Sequence, residues 1–437
     1  MKHQRRLLSL IVALLVTLSL HAQVYTIKAT TDKPEAIYKK GETIQFAVQF
    51  LVDDQPQAGT TLKYSLRRDG HDAINGEVIS AAEPVHITTS LDTPGWAYVM
   101  FTPVDKEGKR IELKAKSSAG VGAMVDPLEL RYAGKCPDDF DAFWAQQRAT
   151  LDAIPLNPRL EPSPVNKDRE GKFVAFDVKV DCAGGMPVSG YLVMPAGAQA
   201  KSLPAVVSYH GAGVRSANKS YRDNAINFDV NAHGINNGQP AEFYDNLKAN
   251  ELKGYPHRDK NDRDQFYFKG MYLRVMRALD FVKTLPEWNG RDLIVIGGSQ
   301  GGGQAIVAAG LDPQVTLCVS GVPALGDHAG TLAKPRRNAG WPRLYAAEKD
   351  GTLSPENAQV AKTAEYFDNV NFARRIRCET FLSTGFIDTT CVPTSVYVVF
   401  NTLPADIRKE ISTTPDGGHG APNPKGYARL AEVLAKR

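Results

Sequence analysis

Two patterns of apolar and polar positions divide the chain. From Val24 to about Tyr132 they alternate: Ile44, Phe46, Val48 and Phe50 fall on one side of residues 43–52, and residues 62–66 continue the rhythm. A period of two places one face of a strand against a core and the other in water. Residues 94–101 and 111–115 predict two more strands. Turn pairs at Asp69-Gly70, Asn75-Gly76, Pro94-Gly95 and Glu107-Gly108 separate the runs. Short, regularly spaced strands with no helical period predict a small β-sandwich of immunoglobulin type over residues 23–126. No grouping of catalytic residue types lies in it. The region reads as a packing or targeting module, expected to be dispensable for chemistry.

Beyond Cys136 the pattern lengthens. Phe140, Phe143, Trp144 and Leu151 form one face of a helix that Asp138 or Asp139 can cap, so a second domain, 127–437, is expected to begin just before it. Residues 173–180 and 188–194 predict a strand pair around Gly184-Gly185. Residues 204–209 and 225–230 predict buried strands, and 264–282 a long amphipathic helix. Further strands are predicted at 315–319, 379–385 and 410–413. Residues 326–371 break this rhythm and read as an insertion that could wall a binding site. Strands alternating with helices predict an α/β domain with a mostly parallel sheet.

The most informative stretch lies within that alternation. Residues 293–296 are a short apolar run rich in β-branched residues, as in a strand buried on both faces. Residues 304–309 favour helix. Between them Gly297-Gly298-Ser299-Gln300-Gly301 matches G-x-S-x-G, the sharp turn that exposes a nucleophilic serine at a sheet edge. A serine needs a base, and the base an orienting carboxylate, in the chain order Ser, Asp or Glu, His. His419, in the loop after the last predicted strand, is the expected base; His328 comes too early. Asp388, after the strand ending at Gly385, is the expected acid, with Asp416 the local competitor and Asp368 before the wrong strand. The backbone N–H groups of Ala212, in His210-Gly-Ala-Gly213, and of Gln300 are the expected oxyanion donors. His210 itself reads as a structural histidine.

Charge and cysteine content narrow the picture. Lys2, Arg5 and Arg6 precede an apolar run over residues 7–20, and Ala22 stands at a suitable cleavage edge, so residues 1–22 read as a secretory signal peptide. The product is expected to be secreted or periplasmic, with no cysteine at the cleavage point for a lipid anchor. Removing that segment lowers the net charge from +4 to +1, because it carries three positive residues and no negative one. That balance favours neither nucleic acid nor an anionic membrane. No later run is long enough for a membrane span. Five cysteines are too few and too scattered for a disulfide framework or a zinc site; Cys378 and Cys391 flank a seven-residue strand whose ends would lie roughly 23 Å apart. No metal or organic cofactor is expected.

Four segments together resemble the acetyl xylan esterase and cephalosporin C deacetylase family. They are residues 137–144 (Pro-Asp-Asp-Phe-Asp-Ala-Phe-Trp), the elbow Gly-Gly-Ser-Gln-Gly-Gly, residues 369–376 (Asn-Val-Asn-Phe-Ala-Arg-Arg-Ile) and residues 385–393 (Gly-Phe-Ile-Asp-Thr-Thr-Cys-Val-Pro). The likeness covers roughly residues 120–437. It implies an α/β-hydrolase fold and hydrolysis of acetyl esters on small oligosaccharides, with Ser299 as nucleophile, Asp388 as acid, His419 as base, and Ala212 and Gln300 at the oxyanion hole. Partners implied are an acetylated oligosaccharide or other small acetyl ester; a ring-like homo-oligomer is compatible with it. The chain departs from the family where Arg-Gly-Gln is usual (here Asn231-Ala-His-Gly234, with Asn237-Gly-Gln239 beyond), in carrying Gly420 after the histidine, and in having Ala212 where tyrosine is common. Two other readings of the elbow are a serine peptidase of prolyl-oligopeptidase type, for which the front region is too short to be a propeller, and a carbohydrate-binding protein on a non-catalytic scaffold.

Overall fold

The computed structural model describes residues 23–69, 72–114 and 118–435. The expected leader, residues 1–22, lies outside them, as do Gly70 of one predicted turn and Ala115 of one predicted strand.

The N-terminal region consists of two sheets. Tyr25–Thr31 and Val85–Thr89 flank Ile44–Val52, with the short Gln55–Pro56 paired to its end; the other sheet runs Ile37–Tyr38, Gly120–Val125, Gly95–Val104, Thr61–Arg68, Asp72–Ile79. Ile44, Phe46, Val48 and Phe50 are all buried, on the side that the alternation marked. Residues 111–114 form no strand; the pairing partner of Gly95–Val104 on that side is Gly120–Val125, all six residues of which are buried. Gly-Val-Gly-Ala-Met-Val carries no alternation because neither of its faces meets water.

The rest of the chain is built on a nine-stranded sheet. Its order is Arg159–Pro162, Phe173–Val180, Val188–Pro195, Ile226–Val230, Leu203–Tyr209, Trp288–Gly298, Leu317–Gly321, Glu379–Gly385, Lys409–Thr414. The first three pairings are antiparallel and the remaining five parallel. Neighbouring residues of one strand feed opposite faces. Val207 and Val295 join the larger core with the helices Tyr267–Lys283 and Gln300–Leu311, whereas Val206, Ile294 and Ile296 meet Leu430 of the helix Pro424–Ala435.

Several local expectations change. Asp139 occupies the N-cap position of the helix Phe140–Asp152 but makes no capping bond; its carboxylate instead receives Arg263 and the Tyr366 hydroxyl. The long helix starts at Tyr267, since Asp262 and Asp264 are held in turns before it. A helix over Ala241–Ala249 and the edge strand Arg159–Pro162 are additions with weak apolar patterning. All five cysteines are free.

Candidate active site

The strand Trp288–Gly298 brings four consecutive buried residues, Leu293 to Ile296, to the middle of the sheet and delivers Ser299 at its carboxyl end. Ser299 has φ 57° and ψ −125°. Such geometry costs a non-glycine residue about 1–3 kcal/mol and persists only when its surroundings impose it. Here they do. The Ser299 N–H donates to the Gly321 carbonyl at 2.9 Å, and its own carbonyl accepts from Gly303 and Ala324, each at 3.0 Å. Gly297 and Gly301 are required by close approach: a Cβ on the first would lie 2.2 Å from the Gly301 carbonyl oxygen, and on the second 2.0 Å from that of Tyr209.

Three groups predicted from sequence converge on one hydrogen-bonded chain. His419 Nε2 lies 2.9 Å from Ser299 Oγ, and His419 Nδ1 lies 2.9 Å from Asp388 Oδ2. Asp388 is buried and its other oxygen, Oδ1, accepts from the N–H groups of Thr390 (2.8 Å) and Cys391 (3.0 Å), which fixes the carboxylate plane. The hydrogen bond to Asp388 raises the His419 pKa above its ordinary value, against a smaller opposing effect of burial. Asp416 is exposed. Asp368 caps the helix Asn369–Ala373 and accepts from the N–H groups of Asp327 and His328, and His328 is buried.

The loop carrying Ala212 runs beside the serine. A Cβ on Gly211 would lie 3.5 Å from that of Ser299, and Ala212 itself is exposed at the mouth. Gln300 opens the helix Gln300–Leu311, where an N–H has no acceptor within the helix. His210 is structural: its Nδ1–H donates to the Gly211 carbonyl (2.6 Å), its Nε2 accepts from the Ala232 N–H (3.0 Å), and burial lowers its pKa to about 4. That neutral tautomer shapes the Gly211 turn.

Residues that sequence reasoning missed stand behind both expected donors. The Tyr255 hydroxyl donates to Gln300 Oε1 at 2.6 Å. His233, whose pKa burial lowers to about 3, accepts from the Tyr267 hydroxyl at Nδ1 (2.6 Å) and approaches the Gly213 carbonyl with Nε2 (3.3 Å). The Tyr255 and His233 rings meet edge to face at 4.7 Å. No local signal marks Tyr255, which sits in a single 3-10 turn. Where Arg-Gly-Gln was absent, Asn231 takes the His233 N–H and donates to the Arg215 carbonyl, while Arg274 reaches in from the long helix to the Ala232 carbonyl. The insertion reaches the turn that carries Asp388: Arg343 donates to the Thr389 carbonyl at 2.6 Å.

Among the described residues, Asp388, Cys391 and His419 present possible metal-donor atoms within 4.8 Å of one another. Their carboxylate oxygens and Nδ1 are already engaged in the bonds above, and burial, with the Asp388 charge, holds the Cys391 thiol protonated.

A mostly parallel sheet with a serine on a strand–turn–helix elbow, followed in chain order by the hydrogen-bonded Asp388 and His419, is that of an α/β-hydrolase. The acetyl xylan esterase family model matches residues 127–435. The acetyl esterase Axe7A of Xylanibacter ruminicola is 30% identical over 406 residues, spanning 90% of this chain and 87% of its own. The chain therefore belongs to the acetyl xylan esterase family and is a carboxylic ester hydrolase. The solved acetyl xylan esterase from Paenibacillus sp. R4 superposes with a TM-score of 0.56 at 28% identity, covering 70% of this chain and 97% of its own. Acetyl xylan esterase 1 from Thermoanaerobacterium sp. JW/SL YS485 shares the fold, with a TM-score of 0.55 at 22% identity, 70% of this chain and 96% of its own. These two are almost wholly matched, yet leave about three-tenths of this chain without a counterpart. Among the described residues no helix is long and apolar enough to cross a membrane.

Proposed function

We propose that the protein removes acetyl groups from xylo-oligosaccharides or related small acetyl esters through Ser299, His419 and Asp388, by way of an acyl-enzyme. The observation that carries this reading is the unbroken hydrogen-bond chain Ser299–His419–Asp388 beside a strained elbow. Neutral His419, its Nδ1–H held by Asp388, takes the serine proton at Nε2 as Oγ attacks the acetyl carbonyl. The N–H groups of Ala212 and Gln300 receive the oxyanion. His419 then returns the proton to the departing sugar hydroxyl, and water, activated by the same imidazole, releases acetate and regenerates Ser299. The exposed Ala212, at a position where tyrosine is common in the family, puts only a methyl group on the loop beside Ser299, which suits a carbohydrate leaving group.

In the same reading residues 127–437 are the catalytic domain, residues 23–126 a β-sandwich module, and residues 1–22 a cleaved signal directing the enzyme to the periplasm or beyond. A fluorophosphonate probe should label Ser299 in the full chain. Turnover on a panel of acetylated, feruloylated and peptide substrates should favour the acetylated sugars. Absence of labelling, or a preference for peptides, would overturn the assignment.

A further inference from the structure

The two loops that carry acid and base are gripped by the N-terminal region. The turn after Glu379–Gly385 passes through Phe386 and Ile387 to Asp388. The carbonyl of Phe386 accepts the indole N–H of Trp96 at 2.6 Å, with both residues fully buried. Trp96 lies on Gly95–Val104, and its ring stacks on that of Tyr98 at 4.4 Å. Tyr98 is paired with Gly122 of the neighbouring strand. Gly122 sits so close that a Cβ there would lie 2.0 Å from the Phe386 carbonyl oxygen. Its N–H donates to the Pro415 carbonyl at 2.8 Å, in the loop that leads to His419. One patch of one sheet thus holds both loops, two residues before the acid and four before the base.

The loops are also tied to each other. Phe386 N–H donates to the Thr414 carbonyl at 2.9 Å and Ile387 N–H to the Gly417 carbonyl at 3.0 Å. Yet the histidine loop contains Gly417, Gly418 and Gly420, and the His419 side chain is 39% exposed. Ordering such backbone costs about 1–2 kcal/mol per residue, and glycine loses most. A base on so free a segment needs anchors from outside it. The solved relatives leave about three-tenths of this chain unmatched, and their family match begins at residue 127, after Trp96 and Gly122.

We infer that Trp96 and Gly122 are positioning residues, and that the N-terminal region serves catalysis by setting the Asp388–His419 geometry. The inference rests on the triad reading above. It replaces the expectation that the front region is dispensable for chemistry. Loosening the Phe386 carbonyl lets the acid turn shift, and a displacement of about 1 Å in a catalytic group can cost up to about 10²-fold in rate. It also weakens the bond that raises the His419 pKa. The signature is therefore double: a lower kcat, and an acidic limb of the pH–rate profile moved to lower pH. General loss of stability produces the first without the second.

The experiment compares full-length Trp96→Phe and Gly122→Ala with Phe46→Leu, a core change in the other N-terminal sheet, and with Ser299→Ala. Trp96→Phe keeps an aromatic ring but removes the donor; Gly122→Ala forces the strand off Phe386. Folded fractions are matched by circular dichroism, and kcat, KM and the pH profile are measured on a soluble acetyl ester. The expected result is kcat lowered about tenfold or more in both variants, KM within about twofold, and the acidic limb shifted downward, while Phe46→Leu keeps both kcat and limb. Should Gly122→Ala fail to fold, Trp96→Phe decides alone. Folded Trp96→Phe with kcat and limb within about twofold of the parent would overturn the inference, as would Phe46→Leu reproducing both changes. Ser299→Ala separates the two readings: if it stays active the triad is wrong, and if it is dead while Trp96→Phe is normal only the bracing is wrong.

Discussion

Ser299 and His419 lie 2.9 Å apart, yet the segments presenting them are held by different means. The elbow is fixed by contact between backbones: Gly297 against Gly301, Gly301 against Tyr209, and the serine's own N–H and carbonyl bound to adjoining loops. Residues 293–296 before it and 300–309 after it are all buried. The histidine loop is exposed and glycine-rich, and its fixed points are single hydrogen bonds from Gly122, Ile387 and Ser383 to the carbonyls of Pro415, Gly417 and Ala421. Steric exclusion positions Ser299; cross-bracing positions His419. The first mode leaves almost no room for an added atom; the second leaves room at Gly418 and Gly420, though not at Gly417, and depends on distant parts of the chain.

That contrast can be broken in steps. Removing the nucleophile has the largest expected effect. Ser299→Ala should lower kcat by about 10⁴-fold or more with the fold retained, and activity within tenfold of the parent would end the assignment. Next comes the bracing of the base. Asp388→Asn should cost about 10²-fold or more in kcat, because the imidazole loses both orientation and counter-charge. Asp416→Asn, on the exposed part of the loop, should cost less than about tenfold, and the reverse order would move the acid.

The pH profile sharpens the same point. His419 must be neutral to act as base, and its pKa is raised, so kcat/KM should fall as pH drops through a midpoint above the ordinary 6.5. In Asp388→Asn that midpoint should move down. A parent midpoint at or below 6.5 would deny the bond its electrostatic role. Smaller effects compare the two segments directly. Gly301→Ala should lower unfolding stability by about 1–3 kcal/mol, since its Cβ meets the Tyr209 carbonyl. Gly420→Ala, with nothing within 4 Å of its Cβ, should stay within about 0.5 kcal/mol in thermal or denaturant unfolding. Equal losses at the two positions would erase the distinction.

The same difference decides how much could be read from sequence. An elbow is local: five consecutive residues carry its glycines, its serine and one expected oxyanion donor, so the motif was visible and its flanking strand and helix followed. Asp388 and His419 were reachable because chain order and strand ends constrain them. Tyr255, His233, Trp96 and Gly122 were not, since each makes its contacts with residues that lie well away from it in the chain, several of them through a backbone atom. Gly122 was doubly hidden. Its strand is buried on both faces and lacks the period of two that revealed Ile44–Val52, so a strand was expected at 111–115 instead. The front region's contacts were hidden for a related reason. Counting catalytic residue types finds none there, whereas Trp96 and Gly122 meet the turns before Asp388 and His419 through the main-chain carbonyls of Phe386 and Pro415.

The free cysteines bear on the chemical durability of the fold. Burial pushes Cys182 and Cys378 up to about 11, and Cys318 and Cys391 also rise. At neutral pH a thiol of pKa about 11 is ionised only about once in 10⁴ molecules, and the thiolate is the form that exchanges, alkylates or oxidises. No covalent bond in the described fold changes with the redox poise of its surroundings. The described fold therefore asks for no pairing step and no disulfide isomerase, whatever the redox poise in which it forms.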